Sequence, residues 1–144
     1  MRVLALDVGT VRIGVALSDE LGLTAQPLGS LAADDPEAAV REVRRLCREH
    51  GVSRIVVGLP RTLDGREGPA AAAARRWIER LERAVGVPVI AWDERLTTAA
   101  AERALIAADV SRRRRRRVVD QMAAALILQS YLDSRRRERG EAPR

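Results

Sequence analysis

The feature that most restricts the fold is residues 3–18, where two apolar runs are separated only by Gly9, Thr10 and Val11. So short a connection lets two strands pair only as an antiparallel hairpin. One carboxylate, that of Asp7, lies near the end of the first apolar run. A carboxylate among apolar residues is costly unless a cation or hydrogen-bond donors compensate it. Asp7 is therefore the first candidate functional residue.

The rest of the chain reads as alternating helices and strands. Apolar runs predict further strands over residues 24–31, 54–58 and 87–92, and Pro27 favours an edge position for the first of these. Capping residues and apolar periodicity predict helices over residues 36–50, 69–84, 97–108 and 118–137. Three antiparallel strands followed by alternating helices and strands predict an α/β fold. Its mixed five-stranded sheet is flanked by helices on both faces.

The size of the chain predicts one domain. Its 144 residues are enough for a single core, expected over residues 1–137, with a disordered tail over residues 138–144. No apolar run is long enough to span a membrane, and no signal-peptide pattern is visible. Together with a single cysteine, Cys47, these features predict a cytoplasmic protein with no membrane partner.

Positive charge is concentrated near the C-terminus. Residues 1–110 contain 15 arginines and 16 acidic residues, a net charge of −1, whereas residues 111–144 contain 11 arginines and 4 acidic residues, a net charge of +7. Six of these arginines are consecutive: Arg112, Arg113, Arg114, Arg115, Arg116 and Arg117. Like charges in a row repel one another unless an anion is present, so the run predicts a phosphate-binding arm. A solvated extension of the last helix is the alternative.

Three acidic residues could form a site together. Asp7 and Glu94 end predicted strands, and Asp120 begins the last predicted helix. Carboxylates without cysteine or histidine favour a hard cation such as Mg²⁺ or Mn²⁺. The spacing leaves two alternatives open, namely solvated carboxylates or ion pairs, in which Arg12 would pair with Asp7 and Arg95 with Glu94. Arg12 could equally bind a phosphate.

Four segments resemble the motifs of the YqgF/RuvX family, which belongs to the ribonuclease H-like superfamily. They are residues 7–14 (DVGTVRIG), 57–60 (VGLP), 93–98 (DERLTT) and 120–129 (DQMAAALILQ). The resemblance extends in the right order over residues 3–132. Members of the family are described as Holliday-junction resolvases and as nucleases that process the 5′ end of the 16S ribosomal RNA precursor.

The resemblance implies a metal-dependent endonuclease. Its acidic triad corresponds to Asp7, Glu94 and Asp120, which would hold Mg²⁺ or Mn²⁺, while the arginines would contact branched DNA or precursor ribosomal RNA. Related junction resolvases have a fourth acid near the third, where this chain has Ala123 and Ala124. That departure leaves open whether one or two metal ions bind. A four-way junction is nearly two-fold symmetric, so a resolvase is expected to act as a homodimer.

Two other functions are compatible with parts of the sequence. A non-catalytic nucleic-acid-binding or ribosome-assembly factor would use the basic segment without the acids. A phosphotransferase is suggested by the Asp-x-Gly-Thr pattern at Asp7, which also resembles the phosphate loop of actin-like kinases. That fold needs two lobes, and 144 residues are too few to form them, so we rank it last.

Overall fold

The computed structural model describes residues 1–62, 64–96 and 112–140, with the backbone alone at Leu96 and at residues 112–120. Five strands form one mixed sheet in the order β3-β2-β1-β4-β5. The strands are β1 (Arg2–Val8), β2 (Arg12–Ser18), β3 (Ala25–Ala32), β4 (Val52–Leu59) and β5 (Val89–Asp93). The helices are α1 (Pro36–His50), α2 (Pro69–Ala84) and α3 (Arg112–Glu138), and a short 3-10 turn covers Glu94–Leu96. The predicted α/β class and mixed five-stranded sheet are confirmed.

The opening hairpin forms as predicted, with β1 antiparallel to β2 and Asp7 opposite Gly14. Its turn is closed by the Gly9 N–H, which donates to the Arg12 carbonyl oxygen at 2.8 Å. A Cβ atom at Gly9 would lie only 2.7 Å from that oxygen. Glycine is therefore required here because the backbone of the turn approaches too closely for a side chain.

The first helix begins and ends where its sequence signals predict. The Asp35 carboxylate accepts a hydrogen bond from the Ala38 N–H, and Pro36 occupies the first turn. Gly51 ends the helix in the left-handed conformation, with φ of 63°. Cys47 is buried in this helix, and burial raises the pKa of its thiol to about 11.

Side chains on the two faces of the sheet form separate cores, because successive residues of a strand point to opposite faces. Leu4 and Leu6 belong to the core that contains buried residues of α1 and α2, whereas Val3 and Ala5 belong to the core that contains residues of α3. Asp7 continues the second set and so lies on the face covered by α3.

Two strand positions refine the sequence prediction. β4 is longer than the predicted strand over residues 54–58, so Leu59 belongs to the sheet and not to the loop that follows. β3 lies at an edge of the sheet, as Pro27 predicted. Proline has no backbone N–H, and an edge strand tolerates this because only one of its sides pairs with another strand.

The start of α3 corrects the sequence prediction. The helix begins at Arg112 and not near Val118, so Asp120 is its ninth residue and does not begin it. Arginine is a good helix former, and residues 112–117 contain no glycine or proline to stop the helix. The predicted helix over residues 97–108 and the last four residues of the predicted tail lie outside the described residues. No helix in the described part of the chain is long and apolar enough to cross a membrane.

Candidate active site

Asp7 lies where β1 reaches the carboxyl end of the sheet. The residue is only 8% exposed, and it follows Leu6, which pairs with Val57 of the parallel neighbour β4. The next residue of β4 is Gly58, so Asp7 and Gly58 are at the same level on strands that lie about 4.8 Å apart. Asp7 is thus a nearly buried carboxylate beside a residue without a side chain.

Glu94 reaches the same place from β5. The residue comes directly after Asp93, the partner of Leu59 at the end of β4. Its Oε1 atom lies 2.8 Å from the point that a Cβ atom on Gly58 would occupy, and its Cγ atom lies 3.3 Å from that point. The Glu94 side chain therefore folds back across β4 on the face that it shares with Asp7. The structure brings these two sequence-predicted residues to the same end of the sheet, one on each side of β4.

Gly58 is a site residue whose role the sequence analysis missed. It lies inside β4 and is buried. Because it has no side chain, the side chains of Glu94 and of Ile127 on α3 occupy the space next to its Cα atom. A Cβ atom here would come within 2.7 Å of the Ile127 Cδ1 atom. A glycine inside an apolar strand pattern often marks such a close approach, and this was the signal available in the sequence.

The third predicted acid lies on α3. The helix backbone carries Asp120 past the sheet two turns before Ile127, but the structure does not describe the Asp120 side chain. The same holds for the six consecutive arginines over residues 112–117, which form the first one and two-thirds turns of the helix. The role of Asp120 as a third ligand and that of the six arginines as a phosphate-binding arm therefore stay predictions.

Arg95 pairs with Asp93. The Asp93 carboxylate accepts hydrogen bonds from the Arg95 backbone N–H at 2.9 Å and from its Nη2 at 2.7 Å, and Arg61 Nη1 lies 3.6 Å away. The guanidinium of Arg95 is the main cause that lowers the pKa of Asp93, and Arg61 adds a smaller effect. Asp93 thus has the strand-end role of fixing Arg95, whose guanidinium also packs against Gly65 in the loop before α2.

Arg12 lines a groove next to Asp7. The groove has a volume of about 660 Å³, and its walls are the β1–β2 turn, the end of β3 and Gln121 of α3. Arg12 shares the α3 face with Gly14, the partner of Asp7, but its side chain forms no ion pair within the described part of the chain. The Arg12–Asp7 ion pair that the sequence left open is therefore not formed between these two described residues.

The two described carboxylates suit a hard divalent cation. Asp7 and Glu94 supply oxygen donors only, and the bare backbone of Gly58 leaves room for the Glu94 carboxylate beside Asp7. Among the described side chains, which do not include that of Asp120, no three acidic, histidine or cysteine side chains converge. A complete ligand set therefore needs a donor beyond the described side chains, such as the predicted ligand Asp120.

The fold defines the class of protein. The structure of T. thermophilus RuvC in complex with a Holliday junction substrate superposes with a TM-score of 0.58, at 18% identity over 99% of this chain and 98% of that chain. The fowlpox virus Holliday junction resolvase superposes with a TM-score of 0.52, at 17% identity over 93% of this chain and 99% of that chain. The chain therefore has the ribonuclease H-like fold of resolvases.

The sequence defines the family. Residues 1–134 match the family described as "RuvX: Holliday junction resolvase". A protein of Geobacillus kaustophilus named "Putative pre-16S rRNA nuclease" is 54% identical over 94% of this chain and 100% of its own length. A protein of Symbiobacterium thermophilum with the same name is 56% identical over 94% of each chain. The chain belongs to the RuvX (YqgF) family of nucleases, as its four motifs indicated.

Proposed function

We propose that this nuclease is an endonuclease that depends on Mg²⁺ or Mn²⁺ and hydrolyses phosphodiester bonds in structured nucleic acid. The observation that carries the proposal is the Glu94 carboxylate folded over Gly58, on the sheet face and at the level of the nearly buried Asp7. Two carboxylates that approach each other across β4 in a largely apolar sheet repel each other, and a bound divalent cation would offset that repulsion.

Each residue of the site has a separate role in this proposal. Asp7, Glu94 and Asp120 would hold the cation through their carboxylate oxygens. A divalent cation supplies Lewis-acid chemistry, which makes a water molecule nucleophilic near neutral pH and stabilises the leaving oxygen. Gly58 keeps the Glu94 carboxylate in place, and the pair of Asp93 and Arg95 fixes the turn that carries Glu94.

Arginines supply the contacts to the substrate backbone. Arg12 lines the groove at the β1–β2 turn and shares a sheet face with Asp7, so it would bind a phosphate near the scissile one. Arg95, which directly follows Glu94 and pairs with Asp93, is a second candidate for a phosphate contact, and the six arginines at the start of α3 form a phosphate-binding arm. The chain contains two tryptophans, one tyrosine and no phenylalanine, so base stacking contributes little and the substrate is recognised by its backbone and shape.

The substrate is either a four-way DNA junction or the 5′ end of the 16S ribosomal RNA precursor, and the enzyme acts in the cytoplasm. The solved RuvC neighbour is bound to a Holliday junction, and the relatives at about half identity are named for the ribosomal precursor. Because the relatives named for the ribosomal precursor are more similar in sequence than RuvC is, we favour the ribosomal precursor as the substrate. A junction resolvase would act as a homodimer, whereas a precursor nuclease has no such requirement.

The test is side-by-side cleavage of a four-way DNA junction and a ribosomal precursor with Mg²⁺ or Mn²⁺. We expect Asp7→Asn to fold and to bind nucleic acid but to cleave roughly 100- to 1,000-fold more slowly, since a metal ion contributes several kcal/mol to such a transition state. Glu82→Gln, a change at an exposed position on α2, is the control and should cleave like the wild type. Full activity in Asp7→Asn would refute the assignment.

A non-catalytic binding factor is the second candidate, and the net charge of +7 over residues 111–144 favours it. Such a protein would bind nucleic acid equally well with or without the Asp7→Asn substitution. Failure of the wild type to cleave either substrate with either metal, together with tight binding, would favour this function over the endonuclease.

A further inference from the structure

A second basic cluster lies on the α3 face, away from the carboxylates. Arg54 of β4 donates from Nη1 to the Tyr131 hydroxyl oxygen at 2.6 Å, and Arg135 of α3 donates from its own Nη1 to the same oxygen at 3.1 Å. The two nitrogen atoms are therefore no more than 5.7 Å apart. The Arg135 guanidinium also lies 5.8 Å from the centre of the Tyr131 ring.

No described carboxylate neutralises the charge of this cluster. Neither Arg54 nor Arg135 has a carboxylate partner among the described residues, and the phenol that they share is neutral. Arg54 and Arg135 are both only partly buried. Two cations this close repel each other, and an anion with two oxygen atoms, such as a phosphate, would bridge them.

The ring of Tyr131 holds the cluster in position. Tyr131 is buried, and its ring packs edge-on against Trp92 with 5.5 Å between ring centres. Trp92 belongs to β5, two residues before Glu94, so the same packing connects the cluster with the candidate active site. The hydroxyl group is thus a fixed acceptor that brings two arginines together, which makes Tyr131 a positioning residue.

The cluster lies about 13–16 Å from the candidate active site along β1 and α3. Arg54 pairs with Val3, which is four residues before Asp7 on β1, a distance of about 13 Å at 3.3 Å per residue. Tyr131 follows Asp120 by eleven residues of α3, about 16 Å along the helix. Phosphates of one duplex strand advance about 3.4 Å along the axis for each base pair. For a duplex whose axis runs parallel to β1, the separation corresponds to about four or five base pairs.

We propose that Arg54 and Arg135 form a second phosphate-binding site, positioned by Tyr131. It holds a backbone phosphate of a duplex arm about four or five base pairs from the scissile phosphate. The inference rests on the proposed endonuclease function for the identity of the ligand. The site sets the register of the substrate, because a rigid duplex held at two phosphates presents only one bond to Asp7 and Glu94.

The first test measures binding of a fluorescein-labelled four-way DNA junction by anisotropy over a range of salt concentrations. We expect Arg54→Gln with Arg135→Gln to weaken binding about tenfold and to make the slope of log affinity against log salt shallower by about 1, as for one lost phosphate contact. Tyr131→Phe should give a smaller loss. Arg44→Gln, a charge change on the exposed side of α1, should bind like the wild type.

The second test needs no protein variant for its main result. A single neutral methylphosphonate is moved along one arm of the junction, and the wild type should lose affinity when it lies about four or five base pairs from the cut. The double variant should bind the junction modified at that position as tightly as it binds the unmodified junction, because its contact to that phosphate is already lost.

The outcomes separate this inference from the proposed function. A wild type that cleaves, together with a double variant of unchanged affinity and salt slope, would overturn the second site alone. A wild type that binds through Arg54 and Arg135 but cleaves nothing would overturn the endonuclease and support the second site.

Discussion

At the scale of single residues, Gly58 decides where the Glu94 carboxylate lies. The absence of a side chain at Gly58 lets Glu94 fold across β4, with its Oε1 atom 2.8 Å from the missing Cβ position. The neighbouring atoms are the ends of two flexible side chains, those of Glu94 and Ile127, and not backbone. A methyl group at this position should therefore displace the carboxylate without breaking the sheet.

We expect Gly58→Ala to lower cleavage about 100-fold, because a displacement of about 1 Å at a reacting centre has an effect of this size. The free energy of unfolding should fall by only about 1 kcal/mol, since the crowded side chains can move aside. Single-turnover cleavage and urea denaturation measure the two effects separately.

The control for this prediction is Gly29→Ala in β3, where a Cβ atom would meet no heavy atom within 4 Å. That variant should retain full cleavage. Equal cleavage by Gly58→Ala and Gly29→Ala would show that Gly58 does not position Glu94.

Asp93 makes the stability of the site dependent on pH. Hydrogen bonds from the Arg95 side chain are the main cause that lowers the pKa of Asp93 in the folded protein. A carboxylate with a lower pKa in the folded state stabilises the fold above its unfolded pKa of about 3.9. This contribution is lost as the pH falls through the folded pKa.

We expect Asp93→Asn to melt at a lower temperature than the wild type at pH 7, with the difference shrinking as the pH falls below about 4. Thermal melts at a series of pH values measure it. Asp34→Asn, a change at an exposed residue before α1, should follow the wild type throughout. A constant difference between Asp93→Asn and the wild type at all pH values would contradict the prediction.

At the scale of elements, α3 is held to the sheet by polar contacts as well as by its apolar core. The Gln129 Oε1 atom accepts a hydrogen bond from the Ala25 N–H at 3.1 Å, and its Nε2 donates to the Leu23 carbonyl at 3.0 Å. Arg136, only 3% exposed, donates to the same carbonyl at 3.1 Å. These contacts fix the helix against the start of β3, at the end of the sheet opposite to Asp7.

We expect Gln129→Ala to lower the free energy of unfolding by about 1–3 kcal/mol, because it leaves the partly buried Ala25 N–H without its acceptor. The Leu23 carbonyl keeps its bond from Arg136, which limits the loss. Urea denaturation measures the effect, and Gln26→Ala at an exposed position of β3 is the matched control. Equal stability of the two variants would show that Gln129 does not anchor the helix.

The loop between β4 and α2 is held by a chain of ion pairs. Glu67 accepts hydrogen bonds from Arg75 Nε at 2.6 Å and from Arg75 Nη2 at 2.8 Å. The Glu67 carboxylate also lies 3.4 Å from Arg61 Nη2. Arg61 forms a second ion pair with Asp93 at 3.6 Å. The Arg75 side chain is the main cause that lowers the pKa of Glu67. The loop is thus connected through charged groups to the residue that precedes Glu94.

At the scale of the whole molecule, charge is separated along the chain. The sheet and the first two helices come from a region with a net charge of −1, whereas the region that contains α3 has a net charge of +7. Asp7 and Glu94 therefore come from the region without excess positive charge, whereas the six consecutive arginines come from the basic region. Such an arrangement would concentrate a polyanion beside carboxylates that would otherwise repel it.

We expect replacement of Arg112, Arg114 and Arg116 by glutamine to weaken binding of a DNA junction. The slope of log affinity against log salt should become shallower by up to about 3, because each phosphate contact contributes about 0.9. The matched control replaces three exposed arginines of α1, Arg41, Arg44 and Arg48. An unchanged slope and affinity in the first variant would show that the run is only a solvated helix extension.

The sequence by itself determined most of the secondary structure. The bounds of β1, β2, α1 and α2 follow from apolar runs, a three-residue turn, prolines at helix starts and Gly51, all of which act through neighbours in the chain. Motif resemblance gave the family and named Asp7, Glu94 and Asp120 as the triad. The start of α3 was misplaced, because arginine favours a helix as much as it suggests an arm.

Only the tertiary structure decided how the parts of the site meet. The fold of Glu94 over Gly58, the pairing of Arg95 with Asp93 and the position of Arg12 in the groove wall all depend on which strands are neighbours. Strand neighbours also decide that Arg54 and Arg135 meet at Tyr131. In the sequence, Arg54 is 77 residues from Tyr131 and Arg135 is 4 residues from it. Local propensities act over a few residues, whereas strand order and register bring together side chains from distant parts of the chain.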